Sequence, residues 1–457
     1  MDAYKHIHIL GIAGHAMRGL ALALLENGAI VTGTDEHAYP PGTDWLKAKN
    51  ILWWNEPSIE HLTGADLVIL GGGVAPTNPE LLEAQSSKIP IMSYPEVVGK
   101  LTSGAKRIVI TGTHGKTTTT SLITWVLESA GLHPDYLIGI LPNNFSTSVR
   151  LKGAHIAVLE GDEYRSSQLD PSSKFMYYHA TEAIITSIEL DHPDLFADLA
   201  AVKDRFSQLV ENLPRNGRLF VCESSAEAIS VASSSSAPIT TYGFKGHWRA
   251  QNVSYLPEGI EFELIRHDAT IGKLKVGLYG AHNVLNGLAA AAVAMNEGVS
   301  FAAVQQGFTS FLGASRRFEM ISKPDSKLRV IDDYAHHPTE VVATIEAAKT
   351  HFKSRVIAIF RPHTYSRTKT LLNEYHEAFS GADLVFIAPI EGAREIGHEL
   401  VSSEDVAAGA GEHVSAINDR AELIKLVTNS ARAGDVILCM SVNGYENIAK
   451  DIALALE

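Results

Sequence analysis

Cysteine is nearly absent from this 457-residue chain, which contains only Cys222 and Cys439. They lie too far apart in sequence for a disulfide framework, and neither a CxxC spacing nor a Cys/His zinc pattern occurs. Long hydrophobic runs are also lacking: no stretch of about 18 apolar residues is present, which excludes a transmembrane helix. The apolar stretch near the N-terminus is too short for a signal peptide. These absences predict a reduced, cytoplasmic protein without membrane insertion.

Positive charge is the minority sign. The 38 Lys and Arg residues against 52 Asp and Glu residues give a net charge of −14, which repels a phosphate backbone, so no nucleic-acid partner is expected. The remaining composition, 45% hydrophobic and 20% charged, is ordinary for an enzyme and excludes disorder or a coiled coil as a description of the whole chain. At roughly 150 residues per domain, the length predicts about three domains.

The order of apolar segments predicts alternating strands and helices. Strands at His6–Leu10 and Ala29–Gly33 flank a helical run at Met17–Asn27, which is typical of a parallel, doubly wound sheet. Similar alternation recurs after a turn-rich linker at Leu101–Lys106 and again after a loop at Leu312–Ser315. We therefore expect an α/β protein with a Rossmann-like N-terminal domain (1–104), a central domain (105–311), to which the phosphate-binding loop below adds the prediction of a P-loop ATP-binding domain, and a C-terminal doubly wound domain (312–457).

The sharpest motif is a phosphate-binding loop that follows a predicted strand and begins a predicted helix, Thr118–Glu128. Backbone N–H groups of such a loop converge on phosphate oxygens at a helix N-terminus. Lys116 would reach the β- and γ-phosphates of ATP, and the Thr117 hydroxyl would ligate Mg²⁺. The usual first glycine is replaced by Ile110; the alternative is a chance match at a strand–turn–helix junction. The ATP-binding candidates are Thr111, Gly112, Thr113, His114, Gly115, Lys116, Thr117 and Thr118.

A weaker glycine-rich turn, with Gly11 and Gly14, follows the first strand. It resembles a degenerate dinucleotide fingerprint, so a dinucleotide oxidoreductase is disfavoured. Either the turn only packs a helix on a strand, or it binds a diphosphate-bearing ligand. Asp35, which follows the second strand, would suit a ribose hydroxyl or would simply form a turn.

Acidic residues follow two further predicted strands, at Glu160–Glu163 and at Glu189–His192. Because parallel strands end at one edge of a sheet, both segments are expected at the same edge as the phosphate loop. Their carboxylates would hold ATP-bound Mg²⁺, for which a histidine is a less usual ligand. The alternative for each residue is a solvated charge or a helix cap.

Polar and basic residues lie on both sides of the predicted boundary between the second and third blocks. Asn283 and Asn286, spaced i and i+3, share a helix face, although Asn283 alone would also suit an N-cap. One of the adjacent pair Arg316 and Arg317 is expected to be solvated, while the other would neutralise transferred charge together with basic groups at strand ends.

Together, these motifs resemble the Mur ligase family of peptidoglycan amide ligases. TGTHGKTT, LEGDEY, ELDH, GAHNVLN, RRFE and DDYAHHP occur in the family's order and cover essentially the whole chain. The resemblance implies three domains, and a reaction in which ATP converts a substrate carboxylate into an acyl phosphate that an amine then displaces. Several members carry a carboxylated lysine after the metal-binding histidine; here we assign none in the stretch Lys203–Phe206.

The resemblance also implies residue roles. Lys116 would hold the transferring phosphate, and the metal ligands would be Thr117, Glu160 and His192. The catalytic set would be Lys116, His192, Arg317 and Asp333, of which Arg317 and Asp333 complete the ATP site on closure. Asn283 and Asn286 would contact the adenine nucleotide. The UDP-sugar contacts would be Gly11, Gly14, His15, Met17 and Asp35.

Within the family, GIAGHAM and DYAHHP resemble the branch that acts on UDP-N-acetylmuramate. The segment Asp170–Ala180 resembles the recycling ligase of that branch, which implies the tripeptide L-Ala-γ-D-Glu-meso-diaminopimelate as the amine partner, read by Arg361, His363 and Arg367. The alternatives are a ligase that adds L-alanine and, from another class, a nucleotide-gated binding protein. A monomer or weak homo-oligomer is expected.

Overall fold

The computed structural model describes residues 1, 3–40, 42–193, 195–323, 325–393, 395 and 400–457. These residues form two compact units. The first contains residues 1–112, 119–188 and 202–241, and the second contains residues 113–118, 189–201 and 242–457. None of the described helices is both long enough and apolar enough to cross a membrane.

A parallel sheet with strand order β3-β2-β1-β4-β5 forms the beginning of the first unit. The first elements of this sheet are β1 His6–Leu10, α1 His15–Glu26 and β2 Ile30–Thr34. Helix α1 begins two residues before the start that the sequence predicts. The elements that follow are α2 Gly42–Ala48, β3 Leu52–Trp54, a 3-10 turn Ile59–Leu62, β4 Leu67–Leu70, α3 Pro79–Ser86, β5 Ile91–Ser93 and α4 Tyr94–Leu101. The order, in which β1 lies between β2 and β4, confirms the doubly wound expectation.

The second sheet of the first unit has the order β14-β13-β12-β6-β9-β7-β8. Its elements are β6 Lys106–Thr111, α5 Lys116–Ser129, β7 Asp135–Leu137, β8 Val149–Arg150, β9 Ile156–Glu160, β12 Glu182–Ile185, α6 Leu199–Glu211, β13 Arg218–Cys222, α7 Ala226–Ala232 and β14 Ile239–Gly243, with a small hairpin of β10 Arg165–Ser167 and β11 Asp170–Ser173 and a 3-10 turn Lys174–Tyr178 between β9 and β12. Strand β6 lies between β9 and β12 and runs parallel to both. The expectation that the acidic segments follow strands flanking the phosphate loop is therefore confirmed.

The part of the second unit from residue 242 onward begins with an antiparallel ribbon. Strands β15 Trp248–Leu256, β16 Gly259–Arg266 and β17 Ala269–Val276 pair in sequence. The Ala-rich helix α8 Ala281–Asn296 is buried along most of its length, and α9 Phe301–Ser310 packs beside β17. Small alanine side chains allow helix α8 to lie close to its neighbours.

A parallel sheet with one antiparallel edge strand completes the second unit, in the order β18-β19-β23-β20-β21-β22. Its elements are β18 Glu319–Met320, β19 Arg329–Asp333, α10 Pro338–Phe352, β20 Val356–Phe360, α11 Tyr365–Thr370, α12 Leu372–Ala378, β21 Leu384–Ile387, α13 Ser403–Ala408, β22 Val414–Ala416, α14 Arg420–Ser430, β23 Val436–Met440, a 3-10 turn Tyr445–Asn447 and α15 Ile448–Ala455. Separate apolar clusters cover its two faces, so the central strands are buried on both sides. The predicted doubly wound class is confirmed.

Candidate active site

The phosphate loop joins β6 to α5, as the motif predicts, and two of its glycines are required by its backbone. Gly112 has φ +133° and Gly115 has φ +80°, conformations that side chains rarely adopt. A Cβ atom on Gly115 would lie 2.6 Å from Oδ1 of Asn286, and one on Gly112 would collide with Thr186 and Ser187. Gly112 thus supplies the positive φ that the start of the loop needs. Ile110, which stands where the usual motif has its first glycine, lies within strand β6.

Lys116 and Thr117 are both buried at the first turn of α5. The Lys116 ammonium donates a hydrogen bond of 3.3 Å to the Thr113 carbonyl within the same loop. This long bond holds the ammonium over the loop, where a phosphate would offer a stronger, charge-assisted acceptor.

Asn283 and Asn286 lie on one face of α8 and contact each other. The Asn286 amide donates to Oδ1 of Asn283 over 2.8 Å, and the Asn283 amide donates to the Tyr279 carbonyl over 2.7 Å. The shared face is therefore confirmed, whereas an N-cap role for Asn283 is wrong because Gly280 occupies the cap. Since Asn286 also lies against Gly115, the amide pair is positioned beside the phosphate loop.

His114 of the phosphate loop is held between two carboxylates. Its Nδ1 lies 3.1 Å from Oε1 of Glu340, and its Nε2 lies 3.3 Å from Oε2 of Glu189. Although burial lowers the pKa of His114, hydrogen bonds to these two carboxylates raise it to about 10. The same contact with His114 lowers the pKa of Glu189 to about 2 against the opposite effect of burial. The imidazole therefore carries a positive charge at neutral pH.

Glu340 is the residue of this site that the sequence analysis misses. It stands at the third position of α10, where its side chain accepts hydrogen bonds from the backbone of His336 and His337 and completes a capping box. The spacing HPTE after a strand carries that cap signal, but nothing in it indicates that the second oxygen reaches His114.

Asp333 ends β19, and its carboxylate is occupied by the loops around it. It accepts hydrogen bonds of 2.7 Å from the backbone N–H groups of Phe318 and Ala335, and one of 3.3 Å from the Thr344 hydroxyl. Burial raises the pKa of Asp333 to about 6, although Arg317 lowers it. Asp333 thus holds the RRFE segment against the sheet through the Phe318 N–H, so it positions that segment.

The adjacent arginines are both engaged, so the expectation that one is solvated is wrong. Arg316 bonds to Asp332 over 3.0 Å and to the carbonyl of Val442 over 2.6 Å. The Arg317 guanidinium lies 4.8 Å from the centre of the Tyr334 ring, and its buried Nε has no hydrogen-bond partner among the described residues. Of the two arginines, Arg317 is therefore the one whose Nε–H remains as a hydrogen-bond donor for a ligand.

Asp191, His192 and Arg367 form a buried group. Arg367 Nε donates to Oδ1 of Asp191 over 2.8 Å, and its terminal nitrogen lies 3.1 Å from Nδ1 and 3.3 Å from Nε2 of His192. Burial, together with the charge of Arg367, lowers the pKa of His192 to about 3, against the opposite effect of Asp191. His192 is neutral, as a metal ligand must be, but in this conformation its ring faces a cation.

The residues predicted to read a tripeptide separate into two groups. His363 contacts Arg367 over 3.2 Å and so belongs to the Asp191 group. Arg361 instead bonds to the Pro389 carbonyl and to Asn443, both over 3.3 Å, and its guanidinium lies over the Tyr445 ring. The structure thus brings Arg367 and His363 together and gives Arg361 separate partners.

Glu160 and the glycine-rich turn lie in the first unit. Glu160 ends β9 level with Ile110 of β6, and its Oε2 accepts the Gly139 N–H over 2.6 Å. Asp35 accepts the Ala13 N–H over 2.9 Å and the His37 N–H over 3.0 Å, so its carboxylate forms the turn.

The remaining predicted sugar-binding residues surround the start of α1. Gly11 has φ +79°, Gly14 caps the helix, and His15 is exposed at its first position. The Met17 side chain is buried in the core. The helix N-terminus is accessible to a ligand through Gly14 and His15, whereas the thioether of Met17 is not.

Comparison with known proteins identifies all three blocks. Residues 6–106 match the model described as Mur ligase family, catalytic domain, residues 110–294 match the Mur ligase middle domain, and residues 316–443 match the Mur ligase, glutamate ligase domain. A UDP-N-acetylmuramate–L-alanine ligase from Clostridium botulinum is 33% identical over 455 residues, covering 98% of this chain and 97% of that protein.

Two solved structures are similar over nearly the full length. The UDP-N-acetylmuramate–alanine ligase of Thermotoga maritima has a TM-score of 0.79 at 24% identity, covering 99% of each chain. The murein peptide ligase of Psychrobacter arcticus has a TM-score of 0.72 at 28% identity, covering 99% of this chain and 98% of that one.

These comparisons correct the predicted amine partner. The expectation of a tripeptide-adding recycling ligase is wrong, because the curated relatives that match nearly the full length of this chain are UDP-N-acetylmuramate–L-alanine ligases. Residues 170–180 contain strand β11 and the 3-10 turn of the first unit, whereas Arg361, His363 and Arg367, which were predicted to read the amine partner, belong to the second unit. A nucleotide-gated binding protein is excluded as well. The chain belongs to the Mur ligase family, and it is an ATP-dependent ligase of three α/β domains that forms carbon–nitrogen amide bonds.

Proposed function

We propose that this chain joins L-alanine to the carboxylate of UDP-N-acetylmuramate. The observation that carries the proposal is the 33% identity to an L-alanine ligase across 98% of the chain. In the reaction implied by the family, the substrate carboxylate attacks the γ-phosphorus of ATP and ADP leaves. The amine of L-alanine then attacks the acyl carbon, phosphate leaves, and the nitrogen loses a proton to give the amide.

The phosphate loop would bind ATP through its backbone and through Lys116. The ammonium would exchange the 3.3 Å bond to Thr113 for the transferring phosphate, whose negative charge it stabilises as charge accumulates on the oxygens. Loop residues 111–118 would surround the phosphates, and the amide pair Asn283 and Asn286 would contact the adenine nucleotide.

The proposed Mg²⁺ ligands fit the ion unequally. Thr117 and Glu160 offer the oxygen donors that Mg²⁺ prefers. A Cβ atom on Gly139 would lie only 2.8 Å from Oε1 of Glu160, so glycine at this position avoids a clash with the carboxylate. His192 fits only if its ring turns away from Arg367. When bound, the ion would neutralise phosphate charge.

Arg317 and Asp333 would complete the nucleotide site. Arg317 has a buried Nε without a partner among the described residues, and a phosphate oxygen would satisfy it. Asp333 would act through the RRFE segment that it anchors. Closure around these groups would exclude water, which otherwise hydrolyses an acyl phosphate.

The other assignments remain proposals from the sequence. Gly11, Gly14, His15 and Asp35 would surround the UDP moiety, with Met17 contributing through its backbone. The domain limits would be 1–104, 105–311 and 312–457. The cytoplasmic location and a monomeric or weakly oligomeric state stay predictions.

The test is ADP release by the purified protein with ATP, Mg²⁺ and UDP-N-acetylmuramate. L-alanine is expected to drive release and to give a product with the mass of the joined amide, whereas L-Ala-γ-D-Glu-meso-diaminopimelate is not. ADP release driven by the tripeptide alone would contradict the proposal. So would the absence of ADP release with either amine in protein that binds ATP.

A further inference from the structure

Three side chains of the second unit, outside the proposed Mg²⁺ ligands, converge on one point. One ligand atom each from His114, Glu189 and His337 lie within 4.8 Å of one another. They come from the phosphate loop, from the segment after β12, and from the N-cap of α10. Nε2 of His114 is 3.3 Å from Oε2 of Glu189, and Nδ1 of His337 is 4.0 Å from the same oxygen.

The geometry points to a site for a divalent transition-metal ion of the Zn²⁺ class, formed by His114 Nε2, Glu189 and His337 Nδ1. Two imidazoles and one carboxylate with an open fourth position are a donor set typical of Zn²⁺, and not of Mg²⁺. Ligand atoms around a tetrahedral Zn²⁺ stand about 3.3 Å apart, given metal–ligand distances near 2.0–2.1 Å. The His114–Glu189 pair already has this spacing, and His337 Nδ1, now 4.0 Å from the Glu189 oxygen, must approach that oxygen by about 0.7 Å.

In metal sites, the ring nitrogen of a histidine that does not bind the metal usually donates a hydrogen bond to a carboxylate or a backbone carbonyl, and both histidines of this cluster have such a partner. The opposite ring nitrogen of His114 lies 3.1 Å from Glu340, and that of His337 lies 3.3 Å from the Leu190 carbonyl. A carboxylate and a backbone carbonyl in these places fix the tautomer and orient each ring for the metal. Thr339 likewise holds Glu189 through a hydrogen bond of 2.8 Å.

Binding would exchange weak contacts for metal bonds. His337 Nδ1 would release the Thr339 N–H, which it accepts over 3.3 Å, at the long end of hydrogen-bond distances. His114 would lose the proton that it shares with Glu189, and the ion would take over the balancing charge. Because His114 belongs to the phosphate loop, an ion here would fix this part of the loop in its present position.

The site can be tested without substrate, so its failure is distinct from failure of the proposed function. Co²⁺ and Zn²⁺ are titrated separately into the full-length, nucleotide-free protein, with Mg²⁺ as the comparison ion. One Co²⁺ per chain is expected to show the visible bands of tetrahedral coordination, and Zn²⁺ is expected to displace it.

The informative variants are His337→Asn and Glu189→Gln. Asparagine keeps the N-cap of α10 but removes the ligand nitrogen, and glutamine keeps an acceptor for Thr339 but removes the charge. Each is expected to weaken Zn²⁺ binding at least about tenfold, while His133→Asn, which changes an exposed histidine outside the cluster, leaves it unchanged. Circular dichroism checks that each variant is folded.

Absence of one-to-one binding, octahedral Co²⁺ spectra, or equal Zn²⁺ affinity in folded wild-type and His337→Asn protein would each overturn the inference.

Discussion

Removal of Arg367 is expected to destabilise the second unit severely. Its side chain is 3% exposed, and it is paired over 2.8 Å with Asp191, whose side chain is 10% exposed. Replacement by methionine keeps the apolar stem but leaves the Asp191 charge buried without its ion-pair partner. Breaking one half of a buried pair costs about 3–5 kcal/mol, because the remaining charge loses its compensation while staying out of water.

The double variant separates the ion pair from simple packing. In Arg367→Met with Asp191→Asn, no uncompensated charge remains, so the destabilisation should be smaller than the sum of the two single variants by at least about 2 kcal/mol. Urea unfolding at neutral pH, followed by far-ultraviolet circular dichroism, measures these differences. With slopes near 3 kcal/mol/M, the midpoint of Arg367→Met should fall by about 1 M or more.

Two results would refute this reasoning. A midpoint for Arg367→Met within about 0.3 M of the wild type would mean that water reaches Asp191 and screens it. Additive single variants would mean that the two side chains stabilise the fold independently.

Three further expectations concern the phosphate loop. Lys116→Ala should lower the rate of ADP release at least about 100-fold without changing the circular dichroism spectrum, because it removes the charge facing the transferred phosphate; normal release would reject the loop assignment. Gly115→Ala should weaken ATP binding at least about tenfold in a calorimetric titration, since the new Cβ meets Asn286 at 2.6 Å in a backbone conformation unfavourable for alanine; unchanged affinity would show that the loop moves freely. The pKa of His114 is raised to about 10 by Glu189 and Glu340, against burial, so its stabilisation is full below about pH 6.5 and is lost as pH rises toward 10. The difference in urea midpoint between wild type and His114→Gln should therefore shrink over that range, and a difference that grows with pH would contradict the charged imidazole.

The local pattern determines much of the fold. The apolar strand His6–Leu10 and the amphipathic run after it predict a βαβ unit, and the structure confirms it because these residues must bury their apolar faces in this order. The errors are local. Helix α1, for example, begins at His15 rather than at the predicted Met17, because its first two residues are exposed and lie outside the buried apolar face from which the start was predicted.

The candidate site shows a similar division. The loop that carries Gly112 and Gly115 and the shared helix face of Asn283 and Asn286 follow from local motif and helix geometry, whereas the contact of Asn286 with Gly115 does not. The amine partner was predicted wrongly, because it was inferred from a short segment, whereas the 33% identity to an L-alanine ligase extends over 98% of the chain. Glu340 was missed because its capping role is visible locally but its contact with His114 spans 226 positions.

What the sequence by itself determined is the set of α/β blocks, the loop conformation at Gly112 and Gly115, and the family, all of which depend on short-range periodicity and on motifs with fixed spacing. Only the tertiary structure decided which charges meet. It joined His114 to Glu189 and Glu340, and Arg367 to Asp191, because contacts between sheet edges and helix ends depend on how whole elements pack. The contacts raise the pKa of His114 and lower that of Glu189, each against the effect of burial, since the energy of a charge depends on its surroundings in space rather than on its neighbours along the chain.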